Sequence, residues 1–193
     1  MAAFVTPFSL IRALSPRPPL TSARRPRQFC VPPFRMSSTD TSGASVGKMP
    51  AGKDAESMSD SDWRSVLTRE EYSIIRKKGT EYPGTGEYDS FYPKEGHFVC
   101  RACGNPLYSA ESKFKSGCGW PAFDKCYRGG VAIERDASLG MVRTEILCAK
   151  CGGHLGHVFE GERFTQTNER HCVNSVSVKY VDGKYDGAEA KVL

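Results

Sequence analysis

Two short motifs constrain this chain more than anything else in it. Cys100-Arg101-Ala102-Cys103-Gly104 and Cys148-Ala149-Lys150-Cys151-Gly152 are the same device used twice. Two residues between the cysteines let both thiolates turn onto one ion, and the glycine after the second cysteine suits a tight turn with positive φ. Four thiolates in a tetrahedron make a closed structural zinc site, with no open position for catalysis. The two pairs are 44 residues apart, so the metal would staple hairpins that are distant in the chain. Redox pairs and structural disulfides are the competing readings. A thioredoxin-like pair expects a βαβ context, which this sequence lacks. Disulfides do not persist in a reducing compartment.

Around the knuckles, turn formers recur: Pro83-Gly84, Gly104-Asn105-Pro106, Gly117 and Gly119. Short β-type runs lie between them, at 97–100, at 142–147 and over 172–181. In the last run Val176, Val178 and Tyr180 alternate with Ser177 and Lys179, the period of one strand. A helix is predicted ahead of them. Thr68 and Glu71 form a capping box, Leu67 and Tyr72 a hydrophobic staple. Arg76-Lys77-Lys78 suit the negative helix end, and Gly79 suits the position after it. The predicted fold is mainly β: two antiparallel sheets with a short N-terminal helix, stapled by zinc, over residues 59–193.

The N-terminal segment has another character. Residues 1–39 hold seven of the twelve prolines and six arginines, with no lysine, aspartate or glutamate. Such a segment cannot bury a core, and its composition fits an organellar transit peptide, chloroplast before mitochondrion. Residues 40–58 are rich in Ser, Gly, Ala and Asp and are predicted as a linker, so that 1–58 precedes the folded domain. The leader carries six positive charges against +5 for the whole chain, which leaves 40–193 at −1. A nucleic-acid partner needs positive charge on the folded surface, so none is expected. No run approaches the ~20 apolar residues that span a bilayer, so no membrane partner is expected either.

Four cysteines lie outside the knuckles. Cys30 is in the leader, and Cys126 reads as a packing thiol. Cys172 sits in Glu169-Arg170-His171-Cys172-Val173-Asn174-Ser175, at the start of the long predicted strand. Arg170, Cys172 and Asn174 are two apart and would share a face. An ordinary thiol is only about 3% ionised at pH 7. A guanidinium on the same face, with His171 alongside, would lower its pKa; an inert thiol is the plain alternative. Cys118 lies in Gly117-Cys118-Gly119-Trp120-Pro121, where flanking glycines suggest a mobile, accessible backbone and Trp120 an apolar wall. A tight turn with a core tryptophan is the other reading. His154 and His157 directly follow the second knuckle and could act as acids near neutral pH, as metal ligands or as surface groups.

Taken in order, these motifs resemble methionine sulfoxide reductase B of the plant organellar, zinc-containing, two-cysteine type, over residues 60–186. The resemblance carries Cys-x-x-Cys-Gly, Gly-Cys-Gly-Trp-Pro-Ala-Phe, Glu-Ile-x-Cys-x-x-Cys-Gly-x-His-Leu-Gly-His-Val-Phe and Arg-His-Cys-Val-Asn-Ser. It implies reduction of the R epimer of methionine sulfoxide, free or in proteins. Cys172 becomes the nucleophile and Cys118 the resolving thiol, the two forming a redox disulfide recycled by thioredoxin. Arg170, His154, His157 and Asn174 line the pocket, and Trp120 holds the substrate methyl. A monomer is expected. Cys118 must then come within disulfide reach of Cys172, about 6 Å between Cα atoms. Without the resemblance, a non-enzymatic zinc-ribbon binding module also fits, because similar zinc-held sheets serve that role.

Overall fold

The computed structural model describes residues 47–50, 53–137 and 140–192. The leader with Cys30, and linker residues 40–46, 51 and 52, lie outside the described residues. The described part of the linker packs on the body. Lys48 and Met49 donate their N–H groups to the carbonyls of Arg101 and Ala102 on the first knuckle, at 3.3 and 3.1 Å. Ala55 and Met58 join the apolar core.

Two helices follow where one was predicted, α1 (Asp60–Val66) and α2 (Arg69–Ile75). Both open on a capping box, Ser59 with Asp62 and Thr68 with Glu71. At seven residues, α1 is too short for an apolar period to show in the sequence. Helix α2 stops at Ile75 rather than at Gly79. A tertiary contact accompanies the earlier stop: Lys78 takes a left-handed φ of 59° and its ammonium reaches Glu145 Oε2 at 2.6 Å.

Eleven strands are described: β1 (His97–Cys100), β2 (Pro106–Ser109), β3 (Lys113–Phe114), β4 (Ala122–Phe123), β5 (Cys126–Tyr127), β6 (Val131–Asp136), β7 (Arg143–Cys148), β8 (His154–Glu160), β9 (Glu169–Val173), β10 (Val178–Val181) and β11 (Glu189–Ala190). They build a six-stranded sheet in the order β3-β4-β9-β8-β7-β6 and a three-stranded sheet in the order β10-β1-β2. A two-stranded pair, β11-β5, adds a third sheet to the two predicted. Every pairing is antiparallel, as the short strands and frequent turns implied. Aromatic rings join the two larger sheets. Tyr108 of β2 stacks on Phe123 of β4 at 4.2 Å, and Phe98 of β1 meets the same ring edge-on at 5.1 Å. Among the described residues no helix is long and apolar enough to cross a membrane.

The run 172–181 is not one strand. It is cut by a 3-10 turn at Ser175–Ser177, and β9 and β10 belong to different sheets. The cause is tertiary. The buried Glu81 carboxylate accepts the N–H groups of Ser175 and Val176, at 2.7 and 3.1 Å, and the Ser177 hydroxyl donates to the His154 carbonyl. Those bonds turn the chain where its alternation alone would have carried on. Cys172 accordingly lies at the fourth residue of β9, inside the six-stranded sheet.

Candidate active site and metal centre

The two knuckles close on one another as their repetition implied. In each, the N–H of the first cysteine donates to the carbonyl five residues on, Cys100 to Asn105 and Cys148 to Gly153, both at 2.8 Å. Gly104 and Gly152 take φ of 75° and 66° and return their N–H groups to the carbonyls of Cys100 and Cys148. All four Sγ atoms are buried and lie within 4.8 Å of one another. Across the knuckles, Cys100 meets Cys151 at 3.7 Å and Cys103 meets Cys148 at 3.6 Å. A tetrahedron with metal–sulfur bonds of about 2.3 Å has edges of about 3.8 Å. The residues therefore fit a four-coordinate metal. Cys100 ends β1 and Cys148 ends β7, so an ion here joins the three-stranded to the six-stranded sheet.

Register brings a second group of side chains together on one face of the six-stranded sheet. Ala122 pairs with Cys172, Cys172 with His157, His157 with Glu145 and Glu145 with Glu134. Directly paired residues in an antiparallel ladder project to the same side. His154, three before His157, would normally face the other way. A bulge prevents that: Ile146 pairs with Gly156 while Leu147 pairs with His154, which leaves Leu155 as an extra residue. Both imidazoles thus share a face, with ring centroids 5.5 Å apart. Gly156 allows the strands to close here, since a Cβ on it would stand 1.9 Å from the Cys172 carbonyl oxygen.

Cys118 arrives on the loop between β3 and β4. Its Sγ lies 3.8 Å from Cys172 Sγ, 3.0 Å from the Ser116 hydroxyl and 3.3 Å from the Trp120 carbonyl. Of the two flanking glycines, Gly119 is packed against another turn. Gly119 has φ of 89°, its carbonyl accepts the Gly84 N–H at 2.7 Å, and a Cβ there would meet Pro83 at 2.8 Å. The glycine serves close approach to the 83–84 turn.

The two sulfurs share their ionisation. The Cys172 thiol, donating to Cys118, lowers the latter to about 5; burial opposes this, while Ser116 and the Arg170 charge add to it. Cys172 is pushed up by that same hydrogen bond, by burial and by the neighbouring anion, and Arg170 pulls it back. Arg170 therefore pulls in the direction the sequence suggested, but Cys172 is raised rather than lowered, and His171 takes no part. It points to the opposite face, buried, with Nε2 2.9 Å from Glu169 Oε2. Arg170 is itself forked onto Glu162, with Nη2 2.8 Å from Oε1. Burial holds His154 below the usual imidazole value, although Glu145 opposes this. His154 Nδ1 lies 2.7 Å from Glu145 Oε1, so the neutral ring carries its proton on Nδ1 and donates there. His157 Nε2 lies 3.1 Å from Asp136 Oδ2.

Comparison with known proteins bears on this double site. The family model described as the SelR domain matches residues 67–182. The chain is 54% identical over 141 residues to peptide methionine sulfoxide reductase B5 of Oryza sativa subsp. japonica, covering 72% of this chain and 96% of that relative. This chain belongs to the methionine sulfoxide reductase B family. Other members include the chloroplastic B2 of Arabidopsis thaliana, 44% identical over 185 residues, with 93% of this chain and 90% of that protein covered. The chloroplastic B3 of rice is 54% identical over 129 residues, covering 66% of this chain and 55% of that longer relative.

Set in this oxidoreductase family, the residues named from the sequence sort themselves by place. Cys118, Cys172, Arg170, His154 and His157 gather around the paired sulfurs. Trp120 is half-buried beside them, its indole Nε1 donating to the Glu81 carbonyl at 3.2 Å. Asn174 lies beyond the end of β9, not on the half-exposed face of Arg170 and Cys172. It is buried, and its amide donates to the Leu155 carbonyl at 3.0 Å and accepts the Glu81 N–H at 3.1 Å. Cys126 lies in β5, its Sγ 3.6 Å from the Ala190 carbonyl of β11. Sequence reading missed the acidic partners Glu81, Asp136, Glu145 and Glu162. Only Glu145 had a signal, its place inside a quoted motif; the others are ordinary surface-type residues until the fold pairs them.

Proposed function

We propose that this chain reduces the R epimer of methionine sulfoxide in proteins, with Cys172 as nucleophile, Cys118 as resolving thiol and thioredoxin as the final reductant. The observation that supports this most is the 3.8 Å approach of two half-buried sulfurs on a sheet face that also presents His157. The metal cluster has all four positions filled by cysteine, so the chemistry falls to the thiol pair. The R epimer and thioredoxin come from the family resemblance.

Each step balances. The proton shared by the two sulfurs moves to Cys118, leaving the Cys172 thiolate beside Arg170. The thiolate attacks the sulfoxide sulfur. Negative charge builds on the sulfoxide oxygen and is met by a proton donor, His157, or His154 when its ring carries a second proton on Nε2 besides the one given to Glu145. The protonated oxygen then passes from the substrate sulfur to Cys172 as the substrate's S–O bond and the new S–S bond both break, so methionine leaves as the thioether and Cys172 carries the oxygen as a sulfenic acid. The Cys118 sulfur then displaces that oxygen as water, and a Cys118–Cys172 disulfide forms. Thioredoxin dithiol reduces it by exchange. Trp120 provides the apolar wall for the substrate methyl, and Asn174 holds the pocket side of the β9 turn.

The four knuckle cysteines hold one structural zinc. The catalytic unit is 59–193, acting as a monomer, with 1–58 as transit peptide and a linker whose described residues pack against that unit. Chloroplast delivery is favoured over mitochondrial by the arginine-rich, acid-free residues 1–39 and by the chloroplastic relatives. A fluorescent fusion of residues 1–58 separates the two organelles. The deciding assay uses resolved R and S sulfoxide peptides, first with dithiothreitol and then with thioredoxin. Only the R epimer should be consumed; a metal-loaded sample inert toward both would overturn the reading.

A further inference from the structure

Glu81 is a buried carboxylate that neither of the two sites uses, and it touches both Trp120, next to the thiol pair, and the turn that follows β9. Its carboxylate accepts two successive backbone N–H groups, Ser175 at 2.7 Å and Val176 at 3.1 Å. Its own N–H donates to Asn174 Oδ1 at 3.1 Å, and its carbonyl accepts the Trp120 indole at 3.2 Å. The residue is 6% exposed. It precedes Tyr82-Pro83-Gly84, the turn on which Gly119 rests.

We infer that Glu81 is a positioning residue: one side chain and its peptide groups fix Trp120, beside Cys118, relative to the Asn174–Val176 turn in which the Cys172 strand ends. The physical need is clear at the turn. Where the chain leaves the six-stranded sheet, two adjacent N–H groups point inward with no strand partner, and buried donors of that kind must be satisfied. An anion satisfies both at once. Because the same residue also carries the indole, the turn after β9 and the tryptophan cannot move independently. With its N–H committed to the Glu81 carbonyl, Trp120 faces the substrate as an apolar surface rather than as a donor. Gly86 belongs to the same arrangement, for a Cβ there would stand 2.7 Å from Glu81 Oε1 and 2.4 Å from Ser175 Oγ.

The inference rests on the proposed reductase reading, and its test separates the two. Glu81→Gln keeps the size of the side chain but replaces one acceptor by a donor; Glu81→Asp keeps the charge but shortens the reach. Steady-state reduction of an R sulfoxide peptide is measured for both and for the unaltered chain, at a temperature where each is folded by near-UV circular dichroism. Capture of the Cys118–Cys172 pair by iodoacetamide is followed in parallel, because it needs the shared thiolate but no substrate pocket. The expected result for Glu81→Gln is a KM raised about tenfold, kcat lowered less, and an alkylation rate within twofold of normal. Glu81→Asp should recover part of the KM. Unchanged KM in both folded variants would overturn the inference, as would activity and alkylation falling together in proportion. If Glu81→Gln does not fold, Gly86→Ala crowds both Ser175 and Oε1, disturbing the Glu81–Ser175 contact without removing the charge, and should raise KM alone. A Gly86→Ala protein with normal KM counts against the inference. An unaltered chain inactive on both epimers defeats the reductase reading instead.

Discussion

At Cys172 and Cys118 a single proton is held between two sulfurs, and the anion that results is what the chemistry needs. With Cys118 lowered to about 5, the pair is neutral below that pH and carries one negative charge above it, so it is ionised throughout the neutral range. The rate of iodoacetamide capture against pH should therefore show an apparent pKa near 5, which belongs to the pair rather than to either thiol. Cys118→Ala removes the sulfur that shares the proton, and the apparent value should move up toward an ordinary thiol; no movement would show that the two do not share it. Turnover separates their roles. Cys172→Ser should abolish reduction. Cys118→Ser should release about one methionine per chain in a burst and then stall with thioredoxin. Continued turnover in that variant would mean that another thiol, Cys126 being the nearest in sequence, resolves the sulfenic acid.

Among the elements, the β8–β9 pair does most to assemble the site. Its register sets His157 opposite Cys172, and the bulge on the other side of β8, in its pairing with β7, turns His154 to the same side. Gly156→Ala tests how tightly the pairing is held, because its Cβ would lie 1.9 Å from the Cys172 carbonyl oxygen and the obstacle is backbone, not a movable side chain. Loss of about 3 kcal/mol or more in urea unfolding is expected, with activity falling further than the folded fraction. A variant of normal stability and activity would show that the strands stand further apart. Helix α2 makes a smaller contribution. Thr68→Ala deletes one half of its capping box and should cost about 1 kcal/mol with activity unchanged at 25 °C.

For the molecule as a whole, a metal on the four knuckle cysteines would join the two larger sheets, which also meet through aromatic rings. Thiolate zinc sites contribute on the order of 10–16 kcal/mol in small peptides, while whole domains are stable by only about 5–15 kcal/mol. Stripping the ion with an organomercurial and a chelator should release one zinc per chain and collapse the near-UV circular dichroism. A stripped protein that keeps its signal would mean that packing alone holds the sheets. The sequence alone determined what local geometry can enforce. Each knuckle closes through bonds to residues no more than five away, and the Thr68 cap through a bond to a residue three away, so short motifs suffice for them. The tertiary structure alone decided where the 172–181 run breaks, which face His171 takes and which acids stand behind the histidines. Glu81 meets Ser175 across 94 residues, Lys78 meets Glu145 across 67, and Cys118 meets Cys172 across 54. Alternation in a sequence names two faces of a strand. Which of them faces the core, and where a distant carboxylate halts the strand, is settled only when the partners arrive.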